Sequence, residues 1–220
     1  MNEINQQLIK FNQKKDFKED DFFVSSSNKA VFNFLYEWPK WPKNFLNISG
    51  EHYSGKSHLT SVFINKYKGI KFNANELNND DLDRIKNYQN IVIEDFNKEV
   101  NENLIYTLID LIERNSKYLI ITSVVPIVNI NFNLNDLKSR LKNFILLSIK
   151  NPDDELIFAL ILKNLSDRQI SLDKKLVDFI VKRIHRSYSK IFEFIYKIDE
   201  LSLKRKKSIN VKIIKEVLGE

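Results

Sequence analysis

The spacing of hydrophobic residues changes along this 220-residue chain. In its central part, short and almost wholly apolar runs alternate with stretches in which apolar residues recur every three or four positions. The short runs indicate buried strands, and the periodic stretches indicate helices. The predicted strands are residues 44–49, 70–73, 90–95, 118–123 and 144–149. Apolar strands that alternate with helices are typical of an α/β fold whose parallel sheet is covered on both faces.

The two ends of the chain follow different patterns. Residues 1–20 are polar with few apolar positions, which indicates a flexible tail. After residue 151 the strand pattern stops and only helical periodicity remains. We therefore predict an α/β core over residues 21–150 and a small all-α domain over residues 151–220.

Composition narrows the classes of protein that the chain can be. It has no cysteine, no secretion signal and no apolar run of the roughly 20 residues that cross a bilayer, so we expect a cytoplasmic protein with no membrane partner. The net charge of +6 would suit a nucleic acid, but lysine is abundant along the whole chain. The one dense basic cluster, residues 204–207, is interpreted as a solvated face, with contact to a phosphate backbone as the alternative.

One octet, GEHYSGKS at residues 50–57, matches the phosphate-binding pattern G-x-x-x-x-G-K-[ST]. Its two glycines let the backbone N–H groups turn toward phosphate oxygens. In this pattern Lys56 neutralises the β- and γ-phosphates, and the hydroxyl of Ser57 is a ligand of Mg²⁺. The candidate nucleotide-binding residues here are Gly50, Ser54, Gly55, Lys56, Ser57 and His58.

The predicted strand at residues 90–95 ends in two acids, Glu94 and Asp95. Beside a phosphate loop, one such carboxylate holds Mg²⁺ through water and the next polarises an attacking water. Aspartate is the usual metal-ordering acid, and Glu94 is one methylene longer, which leaves the metal geometry and the hydrolysis of ATP open. Acids after strands are common, so this motif depends on the phosphate loop that precedes it.

Two later segments add candidates. Thr122 and Ser123 end the next strand, where a polar residue senses the γ-phosphate in some P-loop ATPases; Ser123 is the candidate, and a plain strand end is the alternative. In DLKSRL, residues 136–141, Arg140 can stabilise a transferring phosphoryl group on a neighbouring molecule, an effect of ~10³–10⁵ in rate where it is used. A local ion pair with Asp136 on a surface helix is the alternative.

The order of these motifs resembles a known family. NFLNISGEHYSGKSHL, NIVIEDF, LIITSVVP, DLKSRL and the four C-terminal helices are similar to the AAA+ module of the DnaA/Hda family, and closest to its alphaproteobacterial Hda-type regulatory inactivators of DnaA. The resemblance covers nearly the whole chain, and GKSHL and DLKSRL are its most specific pieces. It implies an AAA+ core, in which a five-stranded parallel sheet lies between helices, followed by an all-α lid. No helix-turn-helix follows in this sequence, so we do not expect autonomous origin recognition.

The resemblance also implies partners. The family's regulator docks on the DNA-loaded sliding clamp through an N-terminal peptide, and QQLIKF at residues 6–11 resembles such a peptide. Gln7 would be its anchor and Leu8 and Phe11 its apolar side chains, although Lys10 interrupts the series. A disordered tail is the alternative. Arg140 would be the arginine finger that completes the site of ATP-bound DnaA. Contact with DNA would be indirect, and a homodimer is left open.

The lid departs from the family's pattern. The initiator has an arginine at the start of the third lid helix that contacts the nucleotide, and Ser189 stands at the aligned position here. We assign that contact neither to Ser189 nor to the nearby Lys190 and Arg186. Coupling between the nucleotide and the lid is therefore expected to be loose.

These observations predict a regulator of replication initiation that binds ADP or ATP with Mg²⁺, hydrolyses little or no ATP itself and stimulates hydrolysis by DnaA. Two alternatives stay open. One is a helicase-loader-like ATPase that binds single-stranded DNA, for which Trp38, Trp41 and the basic cluster at residues 204–207 are the candidates. The other is a non-hydrolysing adaptor that the nucleotide merely stabilises.

Overall fold

A computed structural model describes residues 18–205 and 209–219. The strands are β1 (Phe45–Ser49), β2 (Gly69–Asn73), β3 (Asn90–Phe96), β4 (Tyr118–Ser123) and β5 (Ile145–Ser148). The helices associated with them are α1 (Lys29–Tyr36), α2 (Lys56–Tyr67), α3 (Asn79–Ile85), α4 (Glu102–Arg114) and α5 (Asn135–Leu141). The helices that follow are α6 (Asp154–Ser166), α7 (Lys174–Val181), α8 (Tyr188–Arg205) and α9 (Val211–Leu218).

The five strands form one parallel sheet in the order β2-β3-β4-β1-β5, which confirms the predicted fold class. Strand β4 lies between β1 and β3, so the loops that follow these three strands leave the same edge of the sheet side by side. In open parallel sheets this edge is where ligands bind. The sequence candidates in the phosphate loop, at Glu94 and at Ser123 are therefore brought to one place.

The apolar runs became strands because each central strand is covered on both faces. Ile91, Val92 and Ile93 of β3 are fully buried, as are Leu119 and Ile120 of β4. The edge strands β2 and β5 are only partly buried. None of the helices in residues 18–205 and 209–219 is long and apolar enough to cross a membrane.

Several helices begin at a residue whose side chain accepts a hydrogen bond from a backbone N–H of the first turn. Asn101 caps α4 in this way, Asp153 caps α6, and Asn210 caps α9. Helix α1 has no such cap. The side chain of Asn28 instead accepts from the backbone N–H of Ser25, which closes a turn before α1.

Helices α6 to α9 enclose a core of their own. Ile157, Ile161, Ile180, Ile195 and Ile198 are buried within it. The two faces of the sheet carry two other buried clusters, one under α3, α4 and α5 and one under α1 and α2. The helical region also contacts the α/β core. Leu156 of α6 and Tyr188 of α8 are buried in the cluster that lies under α1 and α2.

Candidate functional site

The phosphate loop follows β1 and leads directly into α2. The backbone N–H of Gly50 donates to the carbonyl of Ser123, 3.1 Å away, which fastens the loop to the neighbouring strand β4. Gly55 has φ +94°, a left-handed conformation that favours glycine. A Cβ at Gly55 would lie 2.9 Å from the ring of Phe22, and one at Gly50 would lie 2.9 Å from Oγ of Ser54. Glycine at position 55 is therefore favoured by both the backbone conformation and the nearby ring, whereas glycine at position 50 is favoured by close approach alone.

Lys56 lies inside this loop and is only 7% exposed. Its Nζ donates to the carbonyls of Gly50 and Glu51, at 2.6 and 2.8 Å. Burial lowers the pKa of the Lys56 ammonium, and the carboxylates of Asp95, Glu94 and Glu51 act in the opposite direction. The loop thus holds a buried cation at the N-terminal end of the 12-residue helix α2, as phosphate binding requires.

The hydroxyl of Ser54 supplies a second sign that the loop fits a phosphate group. Its Oγ is buried and has no hydrogen-bond partner among the residues that the structure describes. A buried polar atom without a partner costs about 1–3 kcal/mol. A phosphate oxygen beside the loop would give that hydroxyl an acceptor.

Glu94 ends the buried part of β3, and both of its carboxylate oxygens are engaged. Thr60 of α2 donates to Oε1 at 2.8 Å, and Nζ of Lys71 on β2 lies 3.1 Å from Oε2. Lys71 also donates to Ser61. A carboxylate paired with an ammonium group is a poor ligand for Mg²⁺. The roles predicted for Ser57 and Glu94 toward Mg²⁺ therefore stay predictions.

Asp95 and the end of β4 lie next to each other. The Asp95 side chain is exposed and accepts from Asn73 at 3.2 Å, and its backbone N–H donates to Oγ1 of Thr122. Ser123 is fully buried; its hydroxyl accepts from Asn47 and donates to the carbonyl of Val125. Thr122 rather than Ser123 thus contacts Asp95, through the backbone of that residue, while the predicted sensing hydroxyl of Ser123 has internal partners.

His58 contacts the segment that enters the core. One ring nitrogen lies 2.6 Å from the carbonyl of Lys18, and the ring meets Phe22 edge-on with centroids 5.3 Å apart. Burial lowers the pKa of the His58 imidazole, and the Lys18 carbonyl acts in the opposite direction. Phe22 in turn stacks on Phe32 and approaches Gly55. An aromatic group therefore lies against the phosphate loop, which sequence reasoning did not identify.

Arg140 lies on α5 and extends over α4. Its guanidinium donates to Glu113 at 2.6 Å and to Asp110 at 3.0 Å, and it stacks over the ring of Tyr106 at 4.6 Å. The side chain is 23% exposed. The structure thus gives Arg140 ion-pair partners on α4, whereas the local alternative had placed the pair with Asp136 on the same helix.

Glu51, at a position of the motif that accepts any residue, was not a candidate, yet it contacts helix α8. Its carboxylate accepts from the hydroxyl of Ser187 and from the backbone N–H groups of Tyr188 and Ser189. Ser189, the position where the family resemblance led us to look for an arginine, therefore contacts the phosphate loop through its backbone. A carboxylate four residues before the second glycine of the motif gave no signal of this role.

Three other predictions concern regions away from the loop. The clamp-binding peptide with Gln7, Leu8 and Phe11 lies outside the described residues, as do residues 206 and 207 of the basic cluster. Trp41 is 6% exposed and stacks on Phe34 and Phe63, and Trp38 packs against Tyr67. Trp41 is thus a core residue and Trp38 is partly buried against the same cluster, so they do not form the exposed stacking platform that the single-stranded DNA alternative needs.

Comparison with known proteins agrees with this architecture. Residues 153–218 match the family model for the lid domain of Hda. The chromosomal replication initiator protein DnaA of Buchnera aphidicola subsp. Cinara cedri (strain Cc) is 24% identical over 233 residues, covering 94% of this chain and 53% of that protein. The chain spans about half the length of the curated relatives it matches.

Solved structures show the same fold. Domain III of the Thermotoga maritima replication initiation protein DnaA superposes with a TM-score of 0.72 at 17% identity, covering 93% of this chain and 96% of that one. AMPPCP-bound DnaA from Aquifex aeolicus has a TM-score of 0.68 at 19% identity, covering 86% of this chain and 68% of that one. The chain therefore has an AAA+ fold similar to that of DnaA domain III, and its lid is similar to that of Hda.

Proposed function

We propose that this chain is an adenine-nucleotide-binding regulator of replication initiation, which docks on the sliding clamp and stimulates ATP hydrolysis by DnaA through Arg140. The observation that carries the proposal is the phosphate loop, with its buried Lys56, in a chain whose last 66 residues or so match the lid domain of Hda. A relative that is a replication initiator supports a place in the same process.

Nucleotide binding is supported by the loop itself. The loop amides and the buried ammonium of Lys56 would hold the β-phosphate, and the unpaired hydroxyl of Ser54 would donate to a phosphate oxygen. Adenine specificity rests on similarity, since a DnaA that shares this fold binds the ATP analogue AMPPCP. ADP or ATP is therefore the proposed ligand, and Mg²⁺ would accompany the phosphates.

A role for Arg140 in trans is supported by the nature of its contacts. It is partly exposed, and its partners Asp110 and Glu113 are surface carboxylates of α4. Exposed ion pairs are worth only ~0–1 kcal/mol. Arg140 could therefore leave these partners for the phosphates of a neighbouring molecule at small cost, and a guanidinium placed there stabilises charge that develops during phosphoryl transfer.

The arginine-finger role is tested by phosphate release from ATP-loaded DnaA in the presence of the clamp, DNA and this chain. We expect Arg140→Ala to reduce the stimulated rate by at least ~100-fold, because a finger is worth ~10³–10⁵ in systems that use it. Arg114→Ala is the matched control, because Arg114 also pairs with Asp110, at 2.8 Å, but is far more exposed. Unchanged stimulation by Arg140→Ala would reject the role.

Clamp docking is a separate part of the proposal and needs its own experiment. Replacing Gln7 and Leu8 by alanine would remove the anchor and one apolar side chain of the proposed peptide. We expect the purified clamp to be retained by the parent chain and lost by the double variant, while ADP binding stays the same. Equal retention of the clamp by both proteins would reject clamp docking through this peptide, without affecting the proposed nucleotide site.

A further inference from the structure

We propose that Glu51 is a positioning residue that fastens the lid to the phosphate loop, so that nucleotide bound in the loop sets the position of helix α8. The inference rests on the nucleotide binding proposed above. It gives the lid a connection to the site that does not depend on an arginine at Ser189.

The first observation is the set of contacts made by one carboxylate. The hydroxyl of Ser187 donates to Oε1 of Glu51 at 2.5 Å, and the backbone N–H of Ser189 donates to the same oxygen at 3.1 Å. The backbone N–H of Tyr188 donates to Oε2 at 2.9 Å. Burial alone would raise the pKa of the Glu51 carboxyl, but these hydrogen bonds outweigh it and the pKa is lowered. The charged form is therefore the one that the contact stabilises.

The geometry is that of a helix cap supplied from another part of the chain. The first N–H groups of a helix have no partner within the helix, and a negative charge is favourable beside them. In α8, an 18-residue helix, a carboxylate from the loop after β1 takes that place, 136 to 138 residues away in sequence. The start of α8 is thereby fixed to the loop and not to its own flanking residues alone.

A second contact joins the same two elements independently. Tyr53, two residues after Glu51, packs its ring on Phe192 of α8 with centroids 5.0 Å apart. Tyr53 has φ +66°, an uncommon conformation for a residue that is not glycine, and its side chain is 61% exposed. The contact with α8 explains why the exposed ring of Tyr53 is held in a left-handed turn.

Glu51 also touches the phosphate-binding lysine. Its backbone carbonyl accepts from Nζ of Lys56 at 2.8 Å, while its carboxylate holds α8. A phosphate that draws Lys56 or the loop amides toward itself must therefore act on the residue that caps the lid helix. A ligand shifts a conformational equilibrium only through contacts that differ between the two states. Glu51 supplies such a difference for the position of the lid, because it contacts both Lys56 and the start of α8.

The lid has other attachments, so a variant at Glu51 is expected to fold. The hydroxyl of Tyr188 donates to the carbonyl of Lys150 at 3.1 Å, and Ser26 donates to Asp153 at 2.6 Å. Lys163 of α6 pairs with Asp21 at 2.7 Å. Loss of Glu51 would release the start of α8 without detaching the whole helical region.

The absence of cysteine from the sequence allows a direct test of the lid's position. Cysteines at the exposed Lys43 and Lys182, one in the core and one on the lid, would carry spin labels for distance measurement. We expect ADP to narrow the distance distribution in the parent protein and to leave it broad in Glu51→Ala. ADP affinity, measured by calorimetry on the same samples, should fall by at least ~5-fold, the lower end of typical coupling between sites.

The remaining outcomes separate the two proposals. Glu51→Gln, which keeps one acceptor oxygen, should give an intermediate distribution, and Glu99→Ala, at an exposed acid of the core, should behave as the parent does. If ADP binds and narrows the distribution equally in the parent and in both Glu51 variants, or narrows it in neither the parent nor the variants, the inference is overturned. If the parent binds no ADP at all, nucleotide binding itself fails, and the inference falls with it.

Discussion

Two cations of this protein, Lys56 and Arg140, are held in opposite ways. Lys56 is buried and donates to neutral carbonyls of its own loop, with carboxylates further out. Arg140 is at the surface and is paired directly with two carboxylates of α4. The fixed cation has no strong acceptor to give up when an anion arrives in its loop. The surface cation has exchangeable partners and suits a role on another molecule.

Removing the fixed cation should have the largest effect. Lys56→Ala takes away the one buried charge of the loop, and hydrogen bonds to charged groups are worth about 1.5–3 kcal/mol. We expect ADP affinity to fall by roughly 10- to 100-fold in calorimetry. Lys68→Ala, an exposed lysine at the end of α2, should change affinity little. Equal losses in the two variants would mean that Lys56 has no special place in binding.

Freeing the surface cation should have a smaller effect of the opposite sign. The double variant Asp110→Asn and Glu113→Gln removes the two carboxylates that hold Arg140. Since such surface pairs are worth up to ~1 kcal/mol, stimulated phosphate release by DnaA should rise by no more than about 5-fold.

A matched variant is Asp83→Asn, which breaks an exposed pair with Lys86 and leaves α4 intact. It should leave stimulation unchanged. If the double variant lowered stimulation instead, the acids would be holding Arg140 in its working position and not competing for it.

A third cation, Lys71, sharpens the comparison because it neutralises a candidate metal-ordering acid. Lys71→Ala should free Glu94, whose other partner is Thr60. We expect Mg²⁺ then to strengthen ADP binding by roughly 2- to 5-fold more than it does in the parent. Lys66→Ala, which breaks a pair with Glu19 away from the loop, is the control. A magnesium effect that is the same in all three proteins would show that Lys71 does not compete with the metal.

The smallest effect concerns acid stability. Burial alone would raise the pKa of the Asp153 carboxyl, but hydrogen bonds from Ser26 and from the backbone of Leu156 lower it below its usual 3.8. A lowered pKa contributes stability above the unfolded pKa, and this contribution is lost as the pH falls through the folded one. Asp153→Asn should keep the cap and flatten the loss of stability below about pH 4, as measured by urea unfolding. If Asp153→Asn and the parent lost the same free energy of unfolding below about pH 4, the predicted role of Asp153 would be contradicted.

The sequence predicted the sheet and the phosphate loop because both depend on local patterns. Apolar runs bounded by helical periodicity predicted these five strands to within one residue at each end. The second glycine of the loop, Gly55, was recognisable because its left-handed backbone and its close approach to Phe22 tolerate few other residues. These constraints act within a few positions of the chain, so they can be recognised in the sequence.

The partners of the site were not predictable because they come from distant segments. Lys71 reaches Glu94 only through the pairing of β2 with β3, and Glu51 reaches α8 across more than 130 residues. The roles of Thr122 and Ser123 depend on strand register, because neighbouring residues of a strand face opposite sides of the sheet. A motif assigns residue types to positions, whereas these contacts depend on how the elements pack.

The most direct test determines whether the ATP that is hydrolysed is bound to DnaA or to this chain. DnaA would be loaded with ATP labelled at the γ-phosphate and mixed with clamp, DNA and this chain loaded with unlabelled ADP. We predict release of the label at a rate that depends on Arg140, while ADP stays bound to this chain. Two results would contradict the proposal that Arg140 acts on ATP bound to DnaA. One is release of the label only when the labelled ATP is loaded on this chain, and the other is a release rate that does not change when Arg140 is replaced.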